Sequence, residues 1–206
     1  MKLLIIGCGD QGATIARYLV DKADVDEVRL ADLDLKRAGR LADTLKSSKV
    51  FTRRVDAGNI EEVLRVAEGI DVVVNATLPR FDLPIMEAAI NAGANYVDME
   101  SGPPYVTGEQ LAQDEKWRKA GLTALTSTGI SPGVMNVLIA HAADQLDSVE
   151  EILIRSATKI LPGTRVYEGK ELFLEIWSPE TMWLDFAEPQ TNSTRHHFTG
   201  VISKFQ

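Results

Sequence analysis

Short apolar runs alternate with helix-length amphipathic segments over the first 126 residues. Leu3-Leu4-Ile5-Ile6 reads as a strand, and Ala13, Ile15, Ala16, Leu19 and Val20 then recur at helical spacing. Val28-Arg29-Leu30-Ala31 is a second strand. Leu35, Ala38, Leu41, Ala42 and Leu45 share one face of a helix predicted over 35–45. A third strand is expected over 49–55. A helix over 60–67 turns Ile60, Val63, Leu64 and Ala67 inward. Asp71 to Val74 has the continuous apolar character of a parallel strand buried on both faces. A helix over 84–91 closed by Gly93, a strand over 95–97, a helix over 107–119 and a strand over 123–126 complete the series. Strands separated by helices imply right-handed crossovers and a doubly wound parallel sheet.

The pattern changes near Asp147. Strand-like stretches over 148–157, 167–177, 182–186 and 201–205 carry Tyr167, Phe173, Trp177, Trp183, Phe186 and Phe205, and no helical period is evident. The expected organisation is α/β. Residues 1–130 form a Rossmann-type dinucleotide-binding domain, and 131–206 the beginning of an α+β domain with a mainly antiparallel sheet.

The first strand runs directly into Gly7-Cys8-Gly9-Asp10-Gln11-Gly12, a G-x-G-x-x-G turn at the start of a helix. In such a turn Gly7 permits the tight bend, Gly9 lets a pyrophosphate approach the backbone, and Gly12 lets helix and strand pack closely. The helix start offers free N–H groups and the positive end of its dipole. Asp10 and Gln11 lie inside the motif and are counted with the cofactor contacts. Asp32 ends the second strand, 20 residues past Gly12, where a carboxylate accepts the adenosine ribose hydroxyls. A carboxylate there repels a 2′-phosphate and favours NAD over NADP. Lys36 and Arg37 are either a solvated helix face or a phosphate contact, which keeps NADP as second choice.

Ligands of an open parallel sheet lie outside the carboxyl ends of its strands. After the third strand, Asp56 and Ala57 either meet the adenine edge or form a turn. After the fourth, the small residues of Asn75-Ala76-Thr77 allow the nicotinamide ribose and phosphate to lie against backbone. After the fifth, Asp98 and Glu100 place two carboxylates near the nicotinamide end. Asp98 is the best catalytic candidate and Glu100 a substrate candidate, the alternatives being a cap and a solvated acid. Ser131 and Pro132 read as N-cap and first residue of a helix over 132–145, whose start would suit a substrate carboxylate. Gly129, Pro132, Gly133 and Asn136 are the substrate candidates of that run. His141 reads as a packed or interface residue. His196 and His197 are adjacent and would point to opposite faces of a strand, and no metal site is expected.

Composition narrows the class of partner. A net charge of −8 argues against a nucleic-acid or anionic-membrane surface. The uncharged run 120–143 carries too many polar residues and helix breakers to be a membrane helix. Cys8 is the sole cysteine, which excludes an internal disulfide and suits a reducing cytoplasm. The chain opens on a core strand, so no signal peptide is expected.

The segments GCGDQGATIARYL, DVVVNATLPRFDLPIMEAAINAGANYVDME and AGLTALTSTGISPGVMNVL resemble the saccharopine dehydrogenase family, including its lysine dehydrogenase and carboxynorspermidine dehydrogenase-like members. The resemblance runs through about residues 1 to 158. It implies an NAD(P)-dependent oxidoreductase transferring hydride at the C–N bond of an amino acid or its imine adduct. It further implies a second domain that binds the small amino-acid-like substrate and forms a homodimer. Many relatives have Asp where Ser131 precedes the Pro-Gly pair, which leaves the substrate open. Relatives are also longer and return a C-terminal helix to the first domain, so a truncated form is expected. Two alternatives fit the same residues: a nucleotide-sensing regulatory domain like those of potassium transporters, and an inactive truncated homologue serving as an interaction module.

Overall fold

A computed structural model of the chain describes residues 1–99, 104–154, 191–194 and 197–200. They fall into two units, Met1–Val134 and a second beginning at Met135. In the first unit six parallel strands stand in the order β3-β2-β1-β4-β5-β6. The strands are β1 (Lys2–Ile6), β2 (Glu27–Asp32), β3 (Val50–Arg54), β4 (Val72–Asn75), β5 (Asn95–Asp98) and β6 (Ala124–Leu125). This is the Rossmann order, and its direction reverses between β1 and β4. The first unit therefore adopts the expected doubly wound parallel sheet.

Six helices cover the sheet: α1 (Asp10–Leu19), α2 (Leu35–Leu45), α3 (Ile60–Ala67), α4 (Asp82–Asn91), α5 (Pro104–Ala112) and α6 (Asp114–Ala120). Alternation along the strands divides the core in two. Leu4, Ile6, Val73 and Tyr96 face one layer with Val63, Ile85, Met86 and Trp117. Leu3, Ile5, Val28, Leu30 and Val74 face the other with Ala13, Ala16, Ala38 and Leu41. The helix starts follow from their caps. Asp34 accepts from the Lys36 amide at 2.9 Å, and Asn59 accepts from the Glu61 and Glu62 amides at 3.1 and 3.2 Å.

Four expected boundaries change. The helix over 107–119 is two helices, α5 and α6, separated by a turn at Gln113. A 3-10 turn at Pro79–Phe81 precedes α4, which starts at Asp82 rather than 84. The helix expected from Pro132 begins at Met135 instead, as α7 (Met135–Ala143). Pro132 is extended at ψ 164° and Gly133 has φ +124°, so Ser131 does not cap a helix there. Residues 148–154 carry no strand, and 155–157 of that expected strand lie outside the described residues.

In the second unit α7 has no buried residue, and His141 is exposed. β7 (Thr191–Thr194) and β8 (His197–Gly200) pair antiparallel, with Thr194 opposite His197. The strands expected over 167–177, 182–186 and 201–205, together with His196, lie outside the described residues.

Candidate functional site

The glycine turn is locked by its own backbone. Gly7 has φ +95°, donates to the Ala31 carbonyl at 2.8 Å, and leaves no room for a side chain. A Cβ there would stand 2.5 Å from the Ala76 carbonyl oxygen. At Gly12 a Cβ would stand 1.9 Å from the Gly7 carbonyl oxygen. Gly9 differs: a Cβ there meets nothing within 4 Å. It is the N-cap of α1 and brings no side-chain hydrogen bond to it. The first-turn amides of Asp10, Gln11 and Gly12 have no intrahelical acceptor, and they follow directly on the open surface at Gly9. That is the arrangement a bound pyrophosphate requires.

Asp32 closes one side of this cradle. Its buried carboxylate accepts from the Cys8 amide at 2.8 Å through Oδ2 and from the Asp34 amide at 2.8 Å through Oδ1. The acid thus ties the glycine turn to the end of β2. Cys8 lies against it, and burial, with the Asp32 charge adding, pushes the thiol up to about 12. A thiol so shifted stays protonated and inert at neutral pH. The Arg37 guanidinium acts on Cys8 in the opposite sense.

The end of β3 lies next to Asp32, whose carbonyl accepts the Val55 amide at 3.1 Å. Asp56 there folds back on the Gly58 amide at 2.9 Å, a local Asx turn. Its amide donates to Glu62 Oε2 at 3.0 Å. Ala57 follows in the same turn.

On the other side of the cradle stands Asn75-Ala76-Thr77, across the point where strand order reverses. The Ala76 amide donates to the Ile6 carbonyl at 2.8 Å. Asn75 is buried, and its Oδ1 accepts from the Thr77 amide at 3.0 Å and the Thr77 hydroxyl at 2.6 Å. Its Nδ2 donates to Asp82 Oδ1 at 2.8 Å and to the Tyr96 hydroxyl at 3.1 Å.

Asp98 ends β5, opposite Asn75 in the register. Its buried carboxylate accepts from the Ser127 amide at 2.6 Å and from Gln110 Nε2 at 2.9 Å. Burial raises its pKa. Hydrogen bonds from Ser127, Tyr96 and Gln110 oppose that rise.

A sequence profile described as the saccharopine dehydrogenase NADP binding domain matches residues 3–125, spanning β1 to β6. The chain belongs to this family. A carboxyaminopropylagmatine dehydrogenase of Synechocystis is 32% identical over 148 residues, covering 68% of this chain and 37% of that protein. A carboxynorspermidine synthase of Vibrio cholerae is 26% identical over 207 residues, covering 89% of this chain and 50% of that protein. The chain thus spans half or less of the length of these two relatives. Among solved structures, apo saccharopine dehydrogenase (L-Glu forming) from Saccharomyces cerevisiae superposes with a TM-score of 0.60 at 22% identity. That match covers 70% of this chain and 31% of the yeast chain and establishes shared fold.

The saccharopine dehydrogenase match accounts for the cradle and stops at Leu125, short of most of the expected substrate residues. Of these, Glu100 lies outside the described residues. Gly129 sits against the end of β5, where a Cβ would stand 2.4 Å from the Met99 carbonyl oxygen. Pro132 and Gly133 belong to the irregular turn Ile130–Val134. Asn136 is the second residue of α7 and belongs to the other unit.

The fold thus brings the turn Gly7, Gly9, Asp10, Gln11 and Gly12 against Ala76 and Thr77 on one side and Asp32 on the other, with Asn75 buried behind Thr77. Asp56 and Ala57 lie beyond Asp32. Tyr96, Asp82 and Gln110 are buried partners that sequence reasoning passed over. The only signal was polar character at Tyr96 and Asp98, two apart on one face of a strand.

Proposed function

We propose that this chain is the dinucleotide-binding portion of an oxidoreductase acting at a carbon–nitrogen bond of an amino-acid-like molecule, with NAD as cofactor. The observation that carries the reading is the open space over Gly9 at the start of α1, bracketed by Asp32 and Thr77. Unsatisfied amides, backbone approach and a ribose acceptor meet there, and small residues leave room for the ligand. Bound nicotinamide supplies the hydride chemistry. The residues of this chain orient it: α1 faces the pyrophosphate, Asp32 the adenosine ribose, and Ala76-Thr77 the nicotinamide half.

The choice of NAD rests on Asp32 and on Asp34 two residues beyond it. Two carboxylates disfavour a 2′-phosphate. Asp98 is read as a positioning group, because it is only 1% exposed and holds Ser127 and Gln110. The carbon–nitrogen substrate class comes from the relatives, which are named for carboxyaminopropylagmatine and carboxynorspermidine. A cytoplasmic homodimer formed through the second unit completes the reading.

Thermal denaturation with NADH and NADPH in parallel tests it. Binding to the native state alone raises the midpoint by mass action. A rise with NADH exceeding that with NADPH is expected. A rise with NADPH alone would transfer the ribose recognition to Lys36 and Arg37. Silence with both at millimolar concentration removes the dinucleotide reading.

A further inference from the structure

Strand pairing sets one cation beside the ribose acid. Arg54 ends β3 directly opposite Asp32 at the end of β2, and the next amide, that of Val55, donates to the Asp32 carbonyl at 3.1 Å. Residues so paired in a parallel sheet stand side by side on one face, with the strands about 4.8 Å apart. Arg53, one position back, belongs to the opposite face and donates to the Thr52 carbonyl at 2.8 Å. Lys36 and Arg37 stand in the first turn of α2, beyond Asp34, and no strand pairing places them.

The Arg54 side chain is 55% exposed, and its Nη1 lies 3.3 Å from Glu62 Oε2. The two partners are held differently. Glu62 stands in the first turn of α3, where Asn59 Oδ1 accepts its amide at 3.2 Å. The same Oε2 that meets Arg54 also accepts the Asp56 amide at 3.0 Å. The carboxylate is thus tied to the backbone of the turn between β3 and α3. The guanidinium is tied at an exposed ion pair, an interaction of small net strength. A phosphate offers the planar guanidinium two oxygens at once and is the stronger partner. A ribose held by Asp32 carries its 2′ oxygen at that carboxylate, next to the strand position of Arg54. NADH has a hydroxyl there and NADPH a phosphate.

We propose that Arg54 is a specificity-determining residue that receives the 2′-phosphate of NADPH, and that Glu62, by holding it at rest, sets how far NADH is preferred. This rests on the dinucleotide reading of α1 and Asp32. It adds a second cofactor and the pair of side chains that governs the choice.

Fluorescence titration of the 206-residue chain with NADH and with NADPH tests it. Arg54→Met keeps the apolar stem and removes the charge. It should weaken NADPH about tenfold and leave NADH within about twofold. Glu62→Gln keeps an acceptor for the Asp56 amide and frees Arg54. It should tighten NADPH about fivefold and leave NADH unchanged. In the double variant that gain disappears, because the released guanidinium is the group that produces it. Arg37→Met should leave the ratio of the two affinities as in the wild type.

An unchanged ratio in Arg54→Met overturns the proposal, as does equal weakening of both cofactors. So does a gain in Glu62→Gln that persists without Arg54, since Glu62 would then act only by repelling the phosphate. A ratio moved by Arg37→Met and not by Arg54→Met hands the phosphate to α2. In each of these cases NADH still binds and the dinucleotide reading stands. Binding of neither cofactor by the wild type would remove that reading and Arg54's role together.

Discussion

The three glycines of the turn have separable jobs, and alanine at two of them tells the jobs apart. At Gly12 an added Cβ lies 1.9 Å from the Gly7 carbonyl oxygen and 3.0 Å from its carbon. Relief requires backbone to move by more than an ångström, and that backbone is held by the Gly7-to-Ala31 and Ala13-to-Gly9 hydrogen bonds. Overpacking against a fixed backbone costs about 3 kcal/mol. That is a large part of the 5–15 kcal/mol or so that stabilises a domain. At Gly9 the added methyl enters open space, and φ −72°, ψ −167° is ordinary for alanine. The change there is within about 1 kcal/mol, the difference between glycine and alanine as an N-cap. The same methyl occupies the surface over which a pyrophosphate would lie. Loss of one charge-assisted hydrogen bond weakens binding by about 10- to 100-fold. Urea denaturation followed by circular dichroism gives the first quantity, and NADH fluorescence titration the second. Gly12→Ala should lower the urea midpoint, whereas Gly9→Ala should keep the midpoint and lose the cofactor. A Gly9→Ala variant that binds NADH as the wild type does would refute this assignment of the crevice. So would one as unstable as Gly12→Ala.

Asp32→Ala strips the acceptor from the Cys8 and Asp34 amides and should destabilise the fold by about 1–3 kcal/mol for the buried Cys8 amide alone. Asp32→Asn, which keeps one acceptor, should fall between that variant and the wild type in thermal denaturation. Equal midpoints for all three would show that the carboxylate does not hold the turn. Asp98 predicts a pH signature. Burial raises its native pKa above the usual 3.8, so the native state binds its proton more tightly than the unfolded state does. Its contribution is therefore fully present below 3.8 and is lost as pH rises through the raised native value. Relative to Asp98→Asn, the wild type should lose urea resistance with rising pH across that interval and level off above it. A flat difference, or one of opposite slope, would contradict the assignment.

Where local chemistry and packing agree, the elements are legible in the order of residues alone. Helices over 35–45 and 60–67 have these limits because Asp34 and Asn59 cap them just where the apolar period starts. Agreement fails in two places for physical reasons. The amphipathic pattern continues through Gln113, so it predicts one helix where the chain makes two. Ser131-Pro132 carries strong helix-start signals, yet the helix waits until Met135. Gly129 lies under the Met99 carbonyl, and Gly133 takes φ +124° with Thr128 at its back, where a Cβ would stand 2.7 Å from its carbonyl carbon. Tertiary contact overrides local propensity there. The glycine turn is visible as a motif because its function is contained in six consecutive residues. The buried contacts of Asn75 and Asp98 are not, since residues 82 and 96 meet Asn75, and 110 and 127 meet Asp98, only once the two strands pair.

That pairing is one instance of a device used three times along the same edge. Asp32, Asn75 and Asp98 are the last residues of β2, β4 and β5, and all three are buried. Each turns a side-chain oxygen toward the backbone amide of a loop. Asp32 takes Cys8 and Asp34, Asn75 takes Thr77, and Asp98 takes Ser127. A buried polar group is costly unless bonded, and a loop amide is costly unless paired; each cost is offset by the other. Loops that would otherwise be free to move are held in place before any ligand arrives, so less ordering is required on binding. The position of Asp98 in this series argues for its role more strongly than its charge does. It has the place of Asp32 and Asn75, and like them it holds loop backbone.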